Sequence, residues 1–315
     1  MILLLHGEDT YQAKVKLTAI RQKFLSKHPV DNLAMLLGTD LTGYNLRSVL
    51  LAQTLLGGPR LVILSDTLSG ASAEVKTALV NLLKSGLPEE VTAIFYETQP
   101  FDKRQSLFKL LNQPKQAEEF IPLGGVALRR VVQGLAQKRG VAINPAVLEC
   151  LLTKTGGNLW RVENELNKLF AYADGQPVTQ ATVDLLVTDS LETNIFALVT
   201  SALGRDLNSA HRIVATSLLA GEDETRLMGA IAYQLRNLIR ISDLKTAGVQ
   251  MSDGARLTQL PPFVVRANWQ ITARFQRSQL VRAYQRLAHF DWQIKIGAYD
   301  PSDALDLFTL TLATT

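Results

Sequence analysis

A strand that ends in a glycine-bearing turn and runs into a helix is where a protein can cradle a phosphate, and this chain has such an arrangement at its start. Ile2-Leu3-Leu4-Leu5 is followed by His6-Gly7-Glu8-Asp9-Thr10-Tyr11-Gln12-Ala13-Lys14. A phosphate cradle needs several glycines so that backbone N–H groups converge on the ligand, a Lys for the β/γ charge, and a Ser or Thr for Mg²⁺. Here one glycine precedes two carboxylates, whose charge opposes a triphosphate, and the Gly-Lys-Ser/Thr step is absent. Glu8 and Asp9 read instead as a helix start stabilised against the macrodipole. Later strand ends carry Asp66, after Leu64-Ser65, and Glu97, after Tyr96, but no paired acids. Asp66 at a strand end reads as a solvated turn residue rather than a metal ligand. The four histidines, His6, His28, His211 and His289, lie far apart and have no metal-ligand spacing with a cysteine or with one another. Gly-x-Ser-x-Gly and Gly-x-Gly-x-x-Gly are missing. No catalytic residue, metal or cofactor is expected from these residues: the first domain has the architecture of a nucleotide-binding module without its chemistry.

The elements around that turn alternate between strand and helix over residues 1–122. Short apolar runs at 2–5, 33–37, 60–64, 91–97 and 119–122 read as strands. Helical patterns fall at 11–25, 46–51, 73–83 and 102–111. Buried strands separated by helices imply a mostly parallel sheet covered on both faces. After Pro122 the strand signal stops. Helices are expected at 128–139, 146–155, 159–173 and 179–186, with Asn144-Pro145 and Thr179 as starts and Gly156-Gly157-Asn158 as a stop. Residues 189–194 read as a linker. Long amphipathic helices follow at 195–203, 207–220, 224–246, 261–273, 278–296 and 303–313. The expected division is 1–122, an α/β domain, then two all-α domains at 123–188 and 189–315.

With 315 residues, 47% of them hydrophobic and 20% charged, each domain can bury a core, and nothing points to disorder. The net charge of +4 permits a nucleic-acid neighbour without requiring one. Cys150, the one cysteine, reads as a small buried hydrophobe on a helix, which suits a reducing cytoplasm. No basic n-region precedes the short apolar start, so a signal peptide is not expected, and no apolar run is long enough for a membrane span.

Several segments together resemble the delta subunit of the bacterial DNA polymerase III clamp loader. They are Leu5-His6-Gly7-Glu8-Asp9-Thr10-Tyr11, the run from Thr54-Leu55-Leu56-Gly57-Gly58-Pro59 through Arg60-Leu61-Val62-Ile63-Leu64, and Phe101-Asp102-Lys103-Arg104. Next come Gly156-Gly157-Asn158-Leu159 with Asn164-Glu165-Leu166-Asn167-Lys168-Leu169, and then Gln234-Leu235-Arg236. Pro262-Phe263-Val264-Val265 and Leu287-Ala288-His289-Phe290-Asp291-Trp292-Gln293-Ile294-Lys295-Ile296-Gly297 complete the set, in the family's order. The resemblance implies an AAA+-like first domain without ATPase activity, a helical lid, and a helical collar that joins a hetero-pentamer of clamp-loader subunits. It also implies a sliding clamp as partner, with primed DNA inside the complex.

The clamp-binding wedge implied by the resemblance falls on Leu55 and Leu56, supported by Thr54, Gly57 and Gly58. The family usually has Phe where this chain has Leu56. On pattern alone, a helix stopped by Gly57-Gly58-Pro59 can project its last leucines outward, or fold both into its own core. A second feature is the cationic stretch Arg236, Arg240, Lys245, Arg256, Arg266, Arg274, Arg277, Arg282 and Arg286, opposed only by Asp243 and Asp253. Such a surface can face phosphates, acidic neighbours or solvent. Lys295 and Tyr299 are the candidates for nucleic-acid contact, with Tyr299 either stacking on an unpaired base or packing internally. The rival reading is a helical DNA-binding repair or regulatory protein with a degenerate AAA+-like domain.

Overall fold

The computed structural model describes residues 1–51, 58–258, 260 and 262–312. The chain divides into two compact units, Met1–Pro122 and Leu123–Thr315.

The first unit alternates β1 (Ile2–Gly7), α1 (Thr10–Leu25), β2 (Leu33–Leu37), α2 (Gly43–Leu51), β3 (Arg60–Ser65), α3 (Thr67–Gly70), α4 (Ala73–Ser85), β4 (Val91–Tyr96), α5 (Ser106–Leu111) and β5 (Ala117–Phe120). Two 3-10 turns, Val30–Asn32 and Gly38–Asp40, flank β2. The strands form one sheet in the order β2-β3-β4-β1-β5, with every pair parallel. Leu61, Val62, Ile63 and Leu64 are all buried, because helices cover both faces of a parallel sheet. The two-residue period of a strand sends them to opposite layers. Val62 and Leu64 pack with Leu4, Ala93 and Phe95 under α2, α4 and α5. Leu61 and Ile63 pack with Leu5, Ile94 and Tyr96 under α1. This is the parallel sheet, covered on both faces, that the sequence pattern predicts.

Among the described residues, every element of the second unit is a helix: α6 (Gly125–Lys138), α7 (Pro145–Thr155), α8 (Leu159–Ala173), α9 (Gln180–Leu186), α10 (Leu191–Leu203), α11 (Leu207–Leu219), α12 (Glu224–Thr246), α13 (Met251–Thr258), α14 (Pro262–Ile271), α15 (Arg277–Lys295) and α16 (Pro301–Leu312). Asn144 caps α7 by accepting from the Val147 N–H, with Pro145 as the first helical residue, and Gly156 ends it in the left-handed region. Helix α12 carries much of the remaining core, burying Leu227, Ile231, Leu235 and Leu238 against residues of α10, α15 and α16. A buried amide pair ties it to α14: Gln234 Nε2 donates to Asn268 Oδ1 at 2.7 Å, and Asn268 Nδ2 to the Val264 carbonyl at 2.9 Å. No helix among the described residues is long and apolar enough to cross a membrane.

The differences from expectation have local causes. Residues 191–194 belong to α10 instead of a linker. Ser190 caps that helix by accepting from the Thr193 N–H, and its own N–H donates to the Lys154 carbonyl at 2.7 Å. Helix α13 was not anticipated, because Gly254 sits in its middle and glycine disfavours a helix interior. Close packing explains that glycine: a Cβ there would stand 2.7 Å from Val265 Cγ1. Helix α5 begins at Ser106, not at 102, since the Asp102 carboxylate holds the Arg104 N–H and guanidinium in a turn. Cys150 is half-buried, not sealed in the core, and desolvation together with Asp184 holds its thiol above the usual range.

Candidate functional site

At the carboxyl ends of the strands, the turn after β1 is filled by the chain itself. Gly7 has φ +131°, and a Cβ on it would lie 2.2 Å from the Phe120 carbonyl oxygen at the end of β5. The Asp9 N–H donates to that same oxygen at 3.0 Å. The start of α1 is also occupied. The Asp9 carboxylate accepts from the Gln12 N–H at 2.9 Å and from Gln12 Nε2 at 2.7 Å. An anion would therefore meet a carboxylate already bonded to the helix N-terminus. Asp9→Ala is expected to lower the stability of this unit by about 1 kcal/mol, the usual worth of such a cap. Urea unfolding measures it, and an unchanged midpoint would show that the cap contributes nothing.

Asp66 is a tie between strand ends, which corrects its reading as a solvated turn residue. It adopts φ +53° and accepts from the Thr98 N–H at 2.6 Å and from Thr98 Oγ1 at 2.9 Å. Beside it Glu97 is 1% exposed. It accepts from the Leu68 N–H at 2.8 Å and from Ser69 Oγ at 3.4 Å. Burial, reinforced by Asp66 and opposed by the Leu68 hydrogen bond, pushes the Glu97 carboxyl up to about 7. His6 is buried edge-on against Phe101 and Phe108, and desolvation holds its pKa below the usual imidazole range. Nothing among the described residues groups three or more His, Cys, Asp or Glu side chains as a metal site. Glu97 and His6 here support loops and packing.

The opposite, amino-terminal edge of the sheet is where α2 delivers the chain. The start of α2 is fixed reciprocally. The Asn45 N–H donates to Thr42 Oγ1 at 3.1 Å, the Thr42 N–H to Asn45 Oδ1 at 2.8 Å, and Asn45 Nδ2 to the Asp40 carbonyl at 2.8 Å. Leu46 and Leu50 then anchor its inner face in the core. Thr54, Leu55, Leu56 and Gly57, four of the five wedge residues named from the sequence, lie outside the described residues. Gly58, the fifth, is half-buried at φ +94°. The chain is gripped again at once: Asn32 Nδ2 donates to the Pro59 carbonyl at 3.0 Å, and the Arg60 N–H to the Glu90 carbonyl at 2.9 Å. The chain is therefore well held at Leu50 and again at Pro59, with eight residues between. Sequence reasoning passed over Asn32, which looks like an ordinary turn residue, because its partner is 27 positions away.

In the second unit, part of the one-sided positive charge is used internally. Arg240 donates to the Thr258 carbonyl, Lys245 to the Trp269 carbonyl, and Arg286 to the Thr311 carbonyl. Arg277 pairs with Asp243 and Arg256 with Asp253. Arg236, Arg266, Arg274 and Arg282 remain exposed. Lys295 pairs with Asp291 one turn earlier, at 2.6 Å. Tyr299 is 41% exposed, with its ring 6.1 Å from that of Phe290. The structure thus leaves part of the Tyr299 ring open to solvent while packing it beside the core.

Residues 192–312 match the family described as DNA polymerase III delta subunit, C-terminal domain. Along nearly its whole length the chain is also similar to the DNA polymerase III subunit delta of Bacillus subtilis (strain 168). The two are 26% identical over 323 aligned positions, covering 99% of this chain and 92% of the relative. Over nearly its whole length the chain is thus similar to DNA polymerase III delta subunits, and residues 192–312 carry the match to their C-terminal domain. A probable DNA polymerase III subunit delta of Aquifex aeolicus (strain VF5) is 21% identical over 265 positions, covering 80% of this chain and 73% of the relative. The solved structure of the Bacillus subtilis DNA clamp loader delta protein superposes with a TM-score of 0.68 at 23% identity, covering all of this chain and 95% of the other. Its fold is thus a clamp-loader delta fold, and the matches reach both units rather than the helical one alone.

Proposed function

We propose that the chain binds the sliding clamp through Leu55 and Leu56 and helps to open it, as the delta subunit within a clamp-loader assembly. The observation that carries this reading is the anchoring on either side of residues 52–57: α2 is buried at Leu50, the chain is gripped again at Pro59, and the sequence between them holds adjacent leucines. The closed turn after β1 favours a subunit moved by its neighbours' nucleotide rather than its own. Residues 1–122 are the clamp-binding domain, 123–188 the lid and 189–315 the collar that joins the other clamp-loader subunits in a hetero-pentamer.

Opening is differential binding. The leucine pair must favour the strained or open ring over the closed one, since equal affinity for both would shift nothing. The test is capture of the cognate clamp by the purified full chain. Failure to capture it at micromolar concentration would remove the reading. Primed DNA enters the assembled complex, and Lys295 with Tyr299 is the candidate contact. Loss of aromatic stacking in Tyr299→Ala is expected to weaken primed-DNA binding by the loader roughly fivefold to tenfold. An unchanged affinity in fluorescence anisotropy would leave Tyr299 a packing residue.

A further inference from the structure

We infer that Asn32 is a positioning residue for the clamp contact, an inference that rests on the clamp-binding reading above. Asn32 ends the 3-10 turn Val30–Asn32, immediately before β2. It is 6% exposed, and its Nδ2 donates to the Pro59 carbonyl at 3.0 Å. That carbonyl lies just before β3, whose ladder with β2 begins at the pairing of Leu33 with Leu61. The side chain thus clips the exit of segment 52–57 to the neighbouring strand one step before backbone pairing begins. Gly58 is part of the same clip. A Cβ on it would come within 3.9 Å of Asn32 Nδ2, and φ +94° turns the chain sharply into Pro59.

The chemistry explains why the residue is an amide. Pro59 has no N–H of its own to enter the ladder, so its carbonyl is the group by which this corner can be held. A buried Asn offers the donor that this carbonyl needs. On the entry side, the Thr42–Asn45 hydrogen bonds fix the start of α2, and the buried Leu46 and Leu50 hold its later turns by packing. Entry is therefore fixed by those bonds and by packing, and exit by one side-chain hydrogen bond. Fixing both ends lowers the ordering cost of presenting Leu55 and Leu56 to a partner, which is the way preorganisation raises affinity.

The test uses the full chain and its cognate clamp. Asn32→Leu keeps the bulk and removes the donor; Asn32→Ala serves if the leucine variant does not fold. Either is expected to raise the Kd for the clamp about threefold to tenfold, the range set by loss of one hydrogen bond worth roughly 0.5–1.5 kcal/mol. Hydrogen exchange separates positioning from general damage. The Gly58 and Arg60 amides exchange faster, while the amides of Leu61–Leu64 at the sheet centre keep their protection. A Kd within twofold of the unmodified chain, or loss of protection across β3 in step with affinity, overturns the inference. Leu55→Ala/Leu56→Ala is measured alongside. If that variant still binds, the leucine contact itself is wrong and the role of Asn32 falls with it. If it loses binding while the Asn32 variants do not, only the positioning role is lost.

Discussion

Leu55→Ala combined with Leu56→Ala is expected to abolish capture of the sliding clamp while leaving both units folded. Full burial of two leucine side chains in a partner's pocket stabilises a complex by about 3–6 kcal/mol before ordering costs. Losing the lower end of that range weakens binding by a factor on the order of 100. The fold should tolerate the change if the pair faces the partner, because the apolar contacts that hold α2 come from Leu46 and Leu50. If the pair instead packs in its own domain, truncation costs stability by about 2–5 kcal/mol for each buried leucine. The two cases separate in one experiment. Clamp affinity by surface plasmon resonance and melting temperature by calorimetry are measured on the same preparation. Undiminished binding, or a collapse in melting temperature, would remove the pair from the clamp interface. Restoring an aromatic side chain with Leu56→Phe should strengthen binding by adding apolar area.

The second large effect is on stability and depends on pH. Glu97 sits nearly inaccessible at the end of β4, with its carboxyl pushed up to about 7, mainly by burial. A carboxyl whose pKa is raised on folding keeps its proton in the native state at pH values where the unfolded chain has already lost it. Its folded form is therefore least penalised below the ordinary glutamate range. Stability is lost as pH rises from there through about 7, and the penalty is complete above that. Glu97→Gln removes the charge while keeping an acceptor for the Leu68 N–H, and its amide can donate to Ser69 Oγ. The variant is expected to be more stable than the parent at pH 8.5 by up to about 3 kcal/mol and to differ little at pH 5. The difference between variant and parent is the quantity to follow, since acids remote from Glu97 titrate identically in both. An equal difference at the two pH values would show that Glu97 is ionised throughout.

The centre of the sheet was legible because β3 and β4 are short runs rich in Leu, Ile, Val and Phe that are buried on both faces. Leu33–Leu37 has the bounds that the sequence indicated, and Arg60–Ser65 and Val91–Tyr96 differ by one residue at one end. Helix starts were legible where a side chain announces them, as at Asn144 with Pro145 and at Thr179. Residues whose partners are remote in sequence were not legible. Glu97 meets Leu68 and Ser69, Asp66 meets Thr98, and Asn32 meets Pro59, each across a strand boundary that no local pattern encodes. The leucine pair is proposed only through the family resemblance, since a run ending in Gly57-Gly58-Pro59 is consistent with buried and with exposed leucines, and Leu55 and Leu56 lie outside the described residues. Gly254 misled in the opposite direction, because a residue that weakens a helix locally was required there by Val265.

The direction of α2 has one more consequence. The 3-10 turn Gly38–Asp40 lies at the carboxyl ends of the strands, with Gly38 so close to Asp66 that a Cβ there would stand 2.4 Å from its carbonyl. From there α2 travels back across the sheet and hands the chain to Arg60 at the other margin. The pole where related architectures take small ligands and the pole that would touch a protein ring are thus separated by a strand's length, roughly 20 Å for six residues. Two visitors at those poles would not compete for space. A tilt or a slide of α2, that nine-residue rod, would be felt at both poles, as would a shift of the paired strands β2 and β3 that run the same span.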